Sequence, residues 1–148
     1  MADLLKGEMF MENYNEAFFR AKTNKRASIT WVLLLIVACI YYGIKVGTGT
    51  LTPGYYAAFA IVGWAVYIVG QALLFIKGMD FKPYKWIVGL GYLAFYSVIA
   101  WTALDQISYV FILPLISILI LYKDPKFIRT MMWITLFVLI SSNAYKGL

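Results

Sequence analysis

Histidine is absent from this 148-residue chain, cysteine occurs once, and charged residues make up only 14% of it. Each scarcity excludes a class of chemistry. Transition-metal sites draw on His, Cys, Asp and Glu. With no His, with Cys39 alone and with no two acidic residues in one apolar segment, no metal site is expected. A lone cysteine cannot form an intramolecular disulfide. Serine and cysteine nucleophiles need a base, most often histidine, and neither a P-loop nor a dinucleotide fingerprint is present. The chain is therefore read as non-enzymatic, with no catalytic residue and no cofactor. The shortage of charge decides the solvent. Soluble domains are ~25% charged and ~45–50% apolar, whereas this chain is 63% hydrophobic. No water-soluble domain of this length could bury so much apolar surface, so lipid must solvate it. The net charge of +6 does not point to nucleic acid, because the charges sit in short clusters between long apolar runs.

What is present is a series of such runs. A helical span needs roughly 17–25 residues. Five segments fit or nearly fit: 27–44, 55–76, 84–104, 107–122 and 127–144. Between Lys85 and Lys123 the only charge is Asp105. One helix over that stretch would exceed about 50 Å, so a tight hairpin at Asp105 and Gln106 is expected to divide it and bring both polar side chains to the surface. Pro114 falls in the fourth span, where neighbouring helices can satisfy the carbonyl it frees. Residues 1–26 carry nine charges and no sustained apolar run. They do not form a cleavable signal peptide, and the first span is read as retained.

Charge asymmetry sets the orientation. Eleven basic residues lie in the N-terminal tail and in the loops near 77–85 and 123–129, against Lys45 and Lys146 on the other side. Basic residues favour the cytoplasmic side, so a cytoplasmic N-terminus in the cell (inner) membrane is expected, with an outer C-terminus after five crossings. Trp31, Tyr84, Trp86, Tyr122 and Phe127 fall near the inner boundary. Tyr41, Tyr42, Tyr55, Tyr56, Trp101, Tyr109 and Tyr145 fall near the outer one, and both groups read as headgroup belts. In the tail, Phe10, Met11, Tyr14 and Phe18 recur at spacings of three and four. That periodicity predicts a short amphipathic helix lying on the inner membrane surface. The fold expected is all-α: a polytopic transmembrane helix bundle of about five spans (27–148) preceded by an amphipathic cytoplasmic tail (1–26).

Within the spans the candidate residues serve packing. Gly63 and Gly70 are seven apart and share a face of the second span, and Cys39 and Gly43 form a small-x-x-x-small pair in the first. Such positions let backbones approach closely, within one chain or in a homo-oligomer. Gln71 is a span amide that should bond a partner helix rather than a substrate. Asp105, the one ionisable group among the apolar runs, reads as a hairpin cap rather than a transport residue. The partners implied are the lipid bilayer and other transmembrane helices, with no nucleic acid and no ligand identified.

A charged tail ending in FFRAKTNKRA, tiny outer loops and an inner turn reading ILYKDPKFI complete the pattern. This layout resembles the N-terminal membrane module of multi-pass methyl-accepting chemotaxis proteins and related signalling proteins of Firmicutes. Those modules show a similar Tyr-x-Asp-x-Lys turn, here Tyr122, Asp124 and Lys126. The resemblance implies a membrane-embedded sensory or anchoring module of a bacterial signal-transduction receptor. It also implies that a sixth span and a cytoplasmic coiled coil would follow. The alternative is a small stand-alone multi-pass membrane protein, such as a transporter subunit or accessory protein.

Overall fold

The computed structural model describes residues 1–102 and 110–147, which form five helices: α1 (Ala2–Gly47), α2 (Pro53–Lys77), α3 (Tyr84–Thr102), α4 (Ile112–Leu121) and α5 (Pro125–Gly147). No strand occurs among the described residues. Three helices, α1, α2 and α5, are long and apolar enough to cross a membrane. This is the composition of a membrane protein. The expected Asp105–Gln106 hairpin lies outside the described residues.

Backbone chemistry explains the ends. Between Glu8 and Tyr42 there is neither Gly nor Pro, so nothing interrupts α1 where its composition turns from polar to apolar. It stops at Gly47–Gly49, where Thr48 and Gly49 return N–H bonds to Ile44 O and Val46 O and Gly49 takes φ +73°. Thr48 and Thr50 donate their hydroxyls to the Lys45 carbonyl, satisfying an end-of-helix acceptor. Pro53 opens α2, where its missing N–H has no intrahelical use. Gly78 at φ +94° closes α2 with an N–H to Leu74 O. Asp124 caps α5: its Oδ1 accepts from Lys126 N at 3.0 Å and Phe127 N at 3.1 Å, with Pro125 at the first helical position.

The structure corrects the sequence reading at three points. The expected short N-terminal helix is not a separate element; it is the first part of α1, whose 46 residues extend about 69 Å, against ~30 Å of hydrocarbon core. Hydropathy changes near Ala27, but a change in hydropathy does not break a helix. Of the expected fourth segment, 107–109 lie outside the described residues; the 10 residues of α4 cover about 15 Å. Pro114 is the third residue of α4, in a turn whose N–H groups have no intrahelical acceptor, so it frees no carbonyl. Finally, several residues assigned to headgroup belts are core. Trp31, Tyr42, Tyr84 and Phe127 are at most 2% exposed. Trp101 and Tyr145 do remain at the surface, stacked on each other.

The core forms around α3. Tyr84, Val88, Tyr92, Phe95, Tyr96 and Ile99 are buried on it, and α2, α5, α1 and α4 all pack against it. Small residues set the spacing. A Cβ on Gly91 would collide with the Val66 side chain and come within 2.9 Å of Trp31 Cη2. One on Gly63 would sit 2.7 Å from Leu35 Cδ2 and 2.9 Å from Phe95 Cδ2. Trp31 thus fills the space that glycine leaves on α3. At one end of the bundle, aromatic rings close the core: Tyr42, Tyr55, Phe59 and Phe95 lie edge to face or tilted around one another, and Phe111 stacks on Tyr42. Tyr92 donates its hydroxyl to the Phe111 carbonyl at 2.7 Å, tying α3 to the start of α4.

Candidate functional site

At the other end the side chains are polar. Two connections between described helices, 78–83 and 122–124, meet here beside α1. Asn24, on α1, is 1% exposed. Its Nδ2 donates to Met79 O at 2.8 Å and Phe81 O at 3.1 Å, so one amide satisfies two carbonyls of the α2–α3 connection. Its Oδ1 accepts the hydroxyl of Tyr122 at 3.0 Å. One turn earlier, Arg20 Nε donates to Asp80 O at 2.9 Å. One turn later, Ser28 Oγ accepts from Gln71 Nε2 at 2.6 Å, and the same nitrogen lies 3.1 Å from Tyr84 Oη. Arg20, Asn24 and Ser28 are spaced by four, a single stripe on one face of α1. That stripe bonds α2, α3, the α2–α3 connection and the end of α4.

Beside this knot lies a cleft of about 340 Å³, lined among others by Glu16, Arg20, Lys82, Lys85, Lys123 and Asp124. Four cations face two carboxylates there, so the cleft is basic. Lys85 makes an ion pair with Asp124 Oδ2. That hydrogen bond, helped by the N–H of Phe127, holds the Asp124 carboxyl below the usual carboxylate range. Lys123 stands with its Nζ 5.7 Å from the centre of the Phe19 ring. It is the one non-glycine residue among those described with positive φ, at 48°.

The site residues expected from sequence fall in different places. Gln71 joins the knot. Tyr122 and Asp124 reach it from the α4–α5 turn, whereas Lys126 is exposed and takes part only through its backbone N–H. The Tyr-x-Asp-x-Lys turn thus has a complete structural account: a tyrosine bonded to α1, an N-cap and an ion pair. Gly63 and Gly70 face the α1–α3 side, where a Cβ on Gly70 would meet Tyr84 Cε2 at 3.3 Å. Gly43 is looser, with only Tyr56 near it at 3.8 Å, and Cys39 is half-buried. Asp105 and Gln106 are outside the described residues.

Sequence reading missed Asn24, Ser28, Arg20 and Lys85 as members of one constellation. The signal was available in part: Arg20, Asn24, Ser28 and Trp31 follow helical spacing straight across the polar–apolar boundary. Their partners, two loop carbonyls and a tyrosine 98 residues away, leave no mark in a local pattern. Chemically the arrangement can fix the relative positions of helices and present a basic cleft. Among the described residues no three His, Cys, Asp or Glu side chains come together. Compared with known proteins, the chain matches no family model, no curated protein and no solved structure.

Proposed function

We propose that this chain is the membrane-embedded anchoring or sensory module of a bacterial signal-transduction receptor, without catalytic activity of its own. The chain crosses the inner membrane about five times, with the N-terminus and the polar knot on the cytoplasmic side. The observation that carries this reading is the continuity of α1 from Ala2 to Gly47. A helix that runs unbroken from a polar arm into a bundle core moves as one body. The bonds of Asn24 and Arg20 grip it where it leaves the core. A displacement of α1 among its neighbours is therefore delivered to the arm, and the eleven-to-two basic asymmetry puts the arm in the cytoplasm.

Two measurements test this. Single cysteines at positions 13, 49 and 124, in a Cys39→Ser background, report the sides. An impermeant thiol reagent should label position 49 in intact cells and positions 13 and 124 only after permeabilisation; labelling of 124 in intact cells overturns the orientation. Spin labels at 13 and 47 report the arm. The 34 intervening steps should give a narrow distance near 51 Å, and a broad, shorter distribution would mean that arm and span are not one body. The receptor assignment has a separate check in the gene. An output domain in frame after Leu148 supports it, and a stop codon there leaves anchoring alone.

A further inference from the structure

Between α4 and α5 runs an open cleft of about 1020 Å³, at the upper end of ordinary ligand sites (~300–1,000 Å³). Its walls are aliphatic: Leu115, Leu119, Met132, Leu136 and Leu139 are representative. The one hydroxyl in its wall, Thr135 Oγ1, is already bonded to Met131 O at 2.8 Å and seeks nothing from an occupant. Charge appears at one end only, as Lys123 and Arg129.

Two geometric facts say what fits. From Arg129 to Leu139 is ten residues of α5, about 15 Å. That is half of the ~30 Å hydrocarbon core, so the cleft has the depth of one leaflet. The cleft is therefore apolar for the length of one acyl chain and cationic where a headgroup would lie. The backbone adds a second argument. Lys123 follows the end of α4 in the left-handed region, a place where glycine or asparagine is favoured and a side chain is strained. Lysine contributes nothing to that turn which glycine would not do better. What it adds is a cation at the junction of the groove and the basic cleft, both of which it lines.

We infer that the α4–α5 groove is a binding site for an anionic glycerophospholipid, with an acyl chain along the apolar wall and the phosphate between Lys123 and Arg129. The inference rests on the chain being a membrane protein whose α4 and α5 meet lipid. It does not depend on which way the termini face. If the orientation proposed above holds, the bound lipid belongs to the cytoplasmic leaflet.

The test is lipid binding to the purified chain in a neutral detergent, counted by native mass spectrometry. Phosphatidylglycerol is compared with phosphatidylcholine of the same acyl chains. With each surface cation contributing roughly fivefold, phosphatidylglycerol should bind about 30-fold more tightly. Lys123→Gly should lose about fivefold of that preference while the chain unfolds at the same or a higher temperature, because a strained backbone is relieved. Arg129→Gln should lose a similar factor, and Lys77→Gln, at the end of α2, none. Leu136→Trp, which fills the groove, should weaken both lipids alike. Soluble glycerol phosphate should not compete. Equal binding of the two lipids, full competition by glycerol phosphate, or a Lys123→Gly chain that keeps the preference would each overturn the site. A stable dimer that Leu136→Trp dissociates would do so too, since the groove would then be filled by a second copy. Binding with the preference intact but with position 124 labelled from outside would keep the lipid site and discard only the orientation.

Discussion

Tyr122 donates its hydroxyl to Oδ1 of Asn24, 3.0 Å away across 98 residues of sequence. The tyrosine ends α4 and the asparagine lies midway along α1, so this bond closes the bundle at the polar end. Because Asn24 also spends both amide hydrogens on Met79 O and Phe81 O, one side chain holds two connections and α1 in register.

Asn24→Ala should therefore be among the most damaging changes outside the aromatic core. It leaves two carbonyls and a hydroxyl without their partner, each such loss costing about 1–3 kcal/mol where water cannot substitute. Tyr122→Phe removes one bond only and should cost about 1 kcal/mol. Thermal unfolding in mild detergent measures both. Equal melting temperatures for the two variants would show that the loop carbonyls find water and that Asn24 is not the clamp described.

Gln71 and Ser28 offer a cleaner energy. Their 2.6 Å bond joins α2 to α1 within the apolar part of both helices. A double-mutant cycle of Gln71→Ala and Ser28→Ala should give a coupling of about 0.6–1.7 kcal/mol, the range for interhelical hydrogen bonds in membranes. Additive losses would mean that Gln71 relies on Tyr84 alone, 3.1 Å from the same nitrogen.

The glycines rank by what a methyl group would meet. Gly91→Ala and Gly63→Ala should each destabilise by about 1–3 kcal/mol, the usual penalty of overfilling a core. The side chains of Val66, Trp31, Leu35 and Phe95 already occupy those spaces. Gly70→Ala, at 3.3 Å from Tyr84, should be mild. Gly43→Ala has room and should be neutral or slightly stabilising, because alanine is the better helix former by about 0.5–1 kcal/mol. A Gly43→Ala chain that unfolds more readily than Gly63→Ala would place the tight crossing on the wrong face of α1.

Acid should loosen the α4–α5 turn. The Asp124 carboxyl is held below its ordinary value, chiefly by Lys85, so the folded state binds that proton less readily than the unfolded chain. Its contribution is fully present above the unfolded carboxylate pKa of ~3.9 and is lost as pH falls through the lower folded value. Asp124→Asn keeps an N-cap but not the ion pair, and should flatten this component of the pH dependence with a small loss near neutrality, about 0.2–1 kcal/mol for a partly exposed pair. Asp124→Ala removes the cap as well and should cost about 1 kcal/mol more. An Asn variant with the acid sensitivity of the parent chain would assign that sensitivity to other carboxylates.

Apolar runs and the residues that start and stop helices are local properties, and they were enough to determine that the chain is helical and suited to lipid, with helices starting near where α2, α3 and α5 start. Pro53, Gly78 and the Asp124–Pro125 pair act on their own turns, so their effect is legible without any neighbour. The length of α1 was legible too, in the absence of Gly and Pro from Glu8 to Tyr42. It was misread because a change of solvent preference resembles a boundary. Only tertiary structure decided which aromatics are core. Trp31 and Trp101 are alike in sequence terms, but Trp31 faces Gly91 across a helix crossing and is wholly buried, while Trp101 lies at the surface. The same holds for the polar knot and the lipid groove. A hydrogen bond between residues 24 and 122, or a cleft left between α4 and α5, depends on how helices cross. That is set by the fit of whole faces, which no short window of sequence contains.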